Sequence, residues 1–82
     1  MPYIPVFSER FIRDTKKLDK GEREKLDNIV EKIIENPDAG KSLRYKFKGC
    51  QSIRRGVFRV IYTLEGDRIT FIAFGHRGKV YR

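Results

Sequence analysis

The apolar positions of this chain change period once, at Pro37. Before it, Leu26, Ile29, Val30, Ile33 and Ile34 recur at steps of three and one. That spacing puts one apolar stripe on a helix over Glu22 to Asn36, whose other face is nearly all Glu, Lys, Arg and Asp. Asn36-Pro37 ends it, because a residue before proline is pushed out of helical backbone. Upstream, Phe11, Ile12, Thr15 and Leu18 fall on one side of an earlier helix. Ser8 suits its N-cap, and Phe7 and Ile12 sit at the spacing of a hydrophobic staple. Asp19-Lys20-Gly21 reads as a break between the two helices, and Tyr3 to Phe7 as a short strand whose Pro5 belongs at a sheet edge.

After Pro37 the period becomes two. Residues 38–42 read as loop, and Leu43 to Lys48 then alternates. Leu43, Tyr45 and Phe47 face one way and Arg44, Lys46 and Lys48 the other, as in a half-buried strand with a basic face. Gly49-Cys50-Gln51 turns the chain, Ser52 to Arg55 is a short strand, and Gly56 is a bulge or tight turn. Val57 to Leu64 has the composition of a central strand. Glu65-Gly66-Asp67 makes a hairpin, Arg68 to Phe74 returns antiparallel, and Gly75 ends the strand before a polar tail. The 82 residues suit one α+β domain over 1–82: an N-terminal strand, a two-helix hairpin and an antiparallel β-meander, with both helices on one face of the sheet.

Composition narrows the chemistry. Nineteen Lys and Arg against eleven Asp and Glu leave a net charge of +8, which draws in nucleic acid or acidic surfaces; the plainer alternative is a well-solvated surface. One cysteine allows no internal disulfide and fits a reducing compartment, so a cytoplasmic location is expected. With one cysteine and His76 as the only histidine, no Cys-based zinc site can form, and neither metal nor cofactor is expected. The longest apolar run, Ile69 to Phe74 interrupted only by Thr70, is of strand length, and the N-terminus lacks a charged region leading into an apolar stretch. Neither membrane insertion nor a signal peptide is expected. No phosphate-binding glycine loop or Ser-His-Asp order is present, and Cys50 would need a base or helix N-terminus to become a nucleophile.

The basic residues of the second half recur at strand spacing: Arg44, Lys46 and Lys48, then Arg54 and Arg55, then Arg59, with Arg77, Lys79 and Arg82 beyond. On neighbouring strands such side chains converge into a patch, open on the face the helices leave uncovered. Arg59 stands apart because it interrupts the apolar run Val57-Phe58-Arg59-Val60-Ile61-Tyr62, where a charge must be paired or serve a site. RNA cleavage suits such a set. The 2′-OH is an internal nucleophile, and the site must supply cations for the phosphoryl oxygens and groups to move two protons. An aromatic such as Tyr81 stacks on a base and holds the strand in line.

Arg54-Arg55-Gly56-Val57-Phe58-Arg59-Val60-Ile61-Tyr62 resembles the strand-pair motif of the RelE/ParE toxin superfamily, and Gly75-His76-Arg77-Gly78-Lys79-Val80-Tyr81-Arg82 resembles its C-terminal ending. The resemblance covers nearly the whole chain. It implies a RelE-like fold and the toxin of a toxin–antitoxin system: an endoribonuclease that cuts mRNA in the ribosomal A site without a metal and is neutralised by a small cognate antitoxin. Position by position, it implies that Arg59 stabilises the phosphate, Arg77 is the general acid and Tyr81 orients the base. Arg54 falls nearest the basic pair that supplies the general base. Where well-known members carry two lysines flanking one residue, this chain has Ser52 and Arg54, which leaves Lys46, Lys48 and His76 as further candidates for the base. Lys46, Lys48, Arg55, His76, Lys79 and Arg82 are expected to hold RNA. The alternative is a ParE-like gyrase inhibitor or an inactive binding protein of the same fold.

Overall fold

A computed structural model of the protein describes residues 3–42, 49–56 and 58–76. Strand β1 (Ile4–Phe7) leads into helices α1 (Glu9–Thr15) and α2 (Lys20–Glu35). A 3₁₀ turn at Pro37–Ala39 precedes β2 (Lys41–Ser42), and β3 (Gln51–Arg55), β4 (Phe58–Glu65) and β5 (Arg68–His76) complete the sheet. Its order is β1-β5-β4-β3-β2. The β3–β4 and β4–β5 pairs are antiparallel as expected, β2 pairs antiparallel with β3, and β1, which leads into the helices, lies parallel to β5. The β1 ladder turns Ile4 N–H to the Asp67 carbonyl (2.7 Å) and Ser8 N–H to that of Phe71 (3.0 Å). Pro5, one residue out of phase, places its missing N–H on the outer edge, where it blunts the edge against strand addition.

Both helices pack on one face. Phe11 of α1 and Leu26, Ile29 and Ile33 of α2 share a core with Phe58, Val60 and Tyr62 of β4 and Ile69, Phe71 and Phe74 of β5. The last pair breaks simple alternation, since residues three apart on a strand face opposite ways. A bulge resolves it: the register steps from Ile61↔Ala73 to Tyr62↔Phe71, leaving Ile72 as the extra residue. Ser8 holds this irregular point. Its N–H reaches the Phe71 carbonyl, its Oγ donates to the Ile72 carbonyl (2.7 Å), and the same Oγ accepts the Phe11 N–H (3.1 Å) as the N-cap of α1.

Several boundaries differ from expectation. Asp19-Lys20-Gly21 is not a break but the start of α2: Asp19 Oδ1 accepts the Glu22 N–H (2.8 Å) while Glu22 Oε1 accepts the Asp19 N–H (3.2 Å). This capping box satisfies donors that a helix start leaves open, and it carries Gly21 into the first turn. α1 ends at Thr15, before Leu18, and Ile12 is 47% exposed, because Phe11 alone turns that short helix to the core. Part of the expected loop 38–42 is instead the 3₁₀ turn and β2. Gly75 does not end β5, which runs on to His76 opposite Phe58. Gly56 forms the tight β3–β4 turn with φ 58°, a conformation that favours glycine. The strand expected at Leu43 to Lys48 lies outside the described residues.

Candidate functional site

On the sheet face opposite α1 and α2, one row crosses three strands. Arg54 of β3 pairs with Arg59 of β4, which pairs with Gly75 of β5. Residues directly opposed in an antiparallel ladder have Cα atoms about 4.5–5.5 Å apart and share a face. Like charges so placed repel, and an anion between them relieves the repulsion. Arg54 is exposed, whereas Arg59 is half-buried with its Nε shielded from solvent. Arg59 stands in the central strand of the sheet with Phe58, Val60, Ile61 and Tyr62 buried around it, so its position is held by packing on both sides. In the next row Ser52, Ile61 and Ala73 are buried, with Cys50 and Ile72 packed on the last two.

Arg55 leaves the expected basic face. Neighbours on a strand point to opposite sides, and Arg55 pairs with Phe58 on the helix side. His76 lies at the end of β5, one residue past Gly75 in the Arg59 row. Lys46, Lys48, Arg77, Lys79, Tyr81 and Arg82 fall outside the described residues. Burial pushes the Cys50 thiol up, toward the unreactive protonated form.

A buried hydroxyl ties the loop after α2 to the sheet. Tyr62 Oη donates to the Pro37 carbonyl (2.6 Å) and accepts the Gly40 N–H (3.1 Å). A Cβ at Gly40 would collide with that hydroxyl and lie 3.0 Å from the Ser52 carbonyl, so only glycine fits. The contact sets where the chain enters β2.

On the helix side, a cavity of about 450 Å³ opens between α2 and the β3–β4 turn. Buried Ile29 and Phe58 contribute its apolar lining, and Lys25, Asn28, Lys32, Arg55 and Gly56 surround them. Of the helix residues, Ile29 belongs to the apolar stripe read from sequence, whereas Lys25, Asn28 and Lys32 were not singled out. Their signal was the spacing of Lys25, Asn28 and Lys32 at i, i+3 and i+7, flanking that stripe.

Residues 6–81 match the profile of a family described as the ParE toxin of type II toxin–antitoxin system, parDE. No curated protein sequence matches. Among solved structures, the chain is similar to the toxin–antitoxin complex RelBE2 from Mycobacterium tuberculosis, with a TM-score of 0.85 and 26% identity over 94% of this chain and 100% of that one. For the intact Escherichia coli RelBE toxin–antitoxin complex the TM-score is 0.76, with 25% identity over 94% and 99%. The YoeB dimer from Staphylococcus aureus shares the fold at a TM-score of 0.75 and 21% identity, over 94% and 99%.

Proposed function

The chain belongs to the ParE toxin family of type II toxin–antitoxin systems, and from that premise we propose that it is a ribosome-dependent, metal-independent mRNA endoribonuclease. The observation that carries this reading is Arg59, set half-buried in an apolar central strand with Arg54 directly opposite. Two cations fixed by a sheet stabilise the charge that builds on a phosphate under attack by the neighbouring 2′-OH, and they need no rearrangement at that moment. In this reading Arg59 holds the phosphate, Arg77 protonates the leaving 5′ oxygen and Tyr81 stacks on the base, the roles that the sequence resemblance implies. Arg54 keeps the anion in place. Ser52, buried opposite Ile61, is no base, and His76 pairs with Phe58 in the row of Arg55, which leaves the 2′ proton to Lys46 or Lys48. The mRNA is taken in the ribosomal A site, in the cytoplasm. The two solved complexes at 25% and 26% identity each pair a toxin with an antitoxin, which supports a small antitoxin partner here as well.

A second reading is inhibition of gyrase, favoured by the ParE description of the matched family. One experiment separates the two. Wild type and the Arg59→Ala/Arg77→Ala double variant are assayed for mRNA cleavage on translating ribosomes, beside gyrase supercoiling. Arg59→Ala alone should lower the cleavage rate by about 10²–10³-fold, as loss of a transition-state donor does. Undiminished cleavage by the double variant sinks the assignment of Arg59 and Arg77, no cleavage by wild type sinks the nuclease reading, and blocked supercoiling without cleavage selects the gyrase one.

A further inference from the structure

We propose that the cavity between α2 and the β3–β4 turn is a nucleotide pocket, which receives one extruded nucleotide of a bound RNA. The inference rests on the reading of the protein as an RNA-acting toxin.

Three observations carry it. First, the lining combines an aromatic and an aliphatic surface, Phe58 and Ile29, with one amide, Asn28, and three cations, Lys25, Lys32 and Arg55. A base needs an apolar wall and one group to meet its polar edge, and its phosphate needs cations. Among the described residues Lys25, Lys32 and Arg55 form no ion pair, so their charge is available to a ligand. Second, about 450 Å³ lies within the range of small-molecule pockets, roughly 300–1,000 Å³, and exceeds what one inserted aliphatic side chain fills. Size thus favours a nucleotide over a hydrophobic knob from an acidic peptide.

Third, the pocket is joined to the Arg59 row. Arg54 and Arg55 are consecutive residues facing opposite sides of the sheet at the same turn. Between β3 and β4 the chain turns at exposed Gly56, where even an added Cβ would meet nothing within 4 Å. A nucleic-acid backbone can therefore pass close over the turn, from Arg54 on one face to Arg55 on the other. The pocket then holds a nucleotide flanking the one that is cleaved.

The test is a titration of the full-length protein with 5′-AMP, 5′-GMP, 5′-CMP and 5′-UMP, followed by amide NMR. Inorganic phosphate and an acidic leucine-containing peptide serve as comparison ligands. At least one nucleotide should shift the amides of Lys25, Asn28, Lys32 and Gly56 together. The Lys25→Glu/Lys32→Glu variant, changed at two exposed positions, should bind it at least about tenfold more weakly with an unaltered circular dichroism spectrum. Phosphate binding as tightly as every nucleotide would reduce the cavity to an anion site and overturn the proposal. So would peptide binding where no nucleotide binds, which assigns the cavity to a protein partner, or shifts confined to the Arg54–Arg59 row. A wild-type protein that cleaves mRNA while its cavity ignores all four nucleotides overturns the pocket alone, whereas cavity binding without cleavage overturns the nuclease reading alone.

Discussion

Removing one oxygen from Tyr62 isolates the tie between the sheet and the loop after α2. The side chain is fully buried, and its hydroxyl serves the Pro37 carbonyl and the Gly40 N–H. Tyr62→Phe keeps the ring and strands both partners. A buried group left without its hydrogen bond costs about 1–3 kcal/mol. Pro37 is buried and bears that in full, whereas half-exposed Gly40 recovers part of it from water. The net loss is about 2 kcal/mol, or roughly 8–16 °C in Tm for a domain of this size. Urea melts followed by circular dichroism should show a lower midpoint at unchanged slope. A second arm uses pH. Burial raises the Tyr62 pKa above its ordinary value; the Gly40 N–H opposes this and the charge of Asp38 adds to it. The folded state then holds the proton longer than the unfolded one. The tyrosine's contribution is complete below its unfolded pKa of about 10 and is lost as pH rises through the folded value. The advantage of wild type over Tyr62→Phe should therefore shrink above about pH 10. A Tm loss under about 2 °C, well below the expected scale, or an advantage that grows with alkalinity, would show that the hydroxyl does not tie the loop to the sheet.

Other expectations follow from the same contacts. Gly40→Ala should destabilise by about 1–3 kcal/mol, as overpacking does, and by less in the Tyr62→Phe background, where the hydroxyl it strikes is gone; equal losses in both backgrounds would place the strain elsewhere. Ser8→Ala should lose about 2 kcal/mol, a helix cap plus the bulge carbonyl it serves, against about 1 for Asp19→Ala. Equal urea midpoints would remove the bulge contact from the account. Cys50, half-buried with its thiol pushed up, should be alkylated more slowly at neutral pH in the folded protein than in urea, and equal rates would contradict its burial.

What the sequence disclosed follows from how local each signal is. The stripe of α2 and the cap at Ser8 depend on near neighbours, and both read correctly. Asp19 to Glu22 is equally local, yet the glycine inside it suggested a turn, because the capping box that outweighs Gly21 is a pair property. Gly75 is misleading for the same reason: it stays in β5 because Arg59 and its neighbours hold the ladder around it. The bulge at Ile72 has no composition of its own and appears only where β4 and β5 are laid side by side. Arg59 was conspicuous as a charge among apolar residues, but its opposition to Arg54 is a matter of register. Lys25 and Lys32 looked like any exposed helix charges until the β3–β4 turn was placed against them.

The parallel seam between β1 and β5 also bears on synthesis. Among the described residues β1 has no other ladder partner, and Ser8 caps α1 while reaching a carbonyl 64 positions along the chain. Contacts of such long sequence separation form late, since loop closure precedes any gain from them. Until Arg68 to His76 has been translated, the first strand lacks its ladder, and the row Arg54–Arg59–Gly75 is missing its third member. A nascent chain thus carries Arg54 and Arg59 without their finished arrangement, and the row closes only once Arg68 to His76 has joined the sheet.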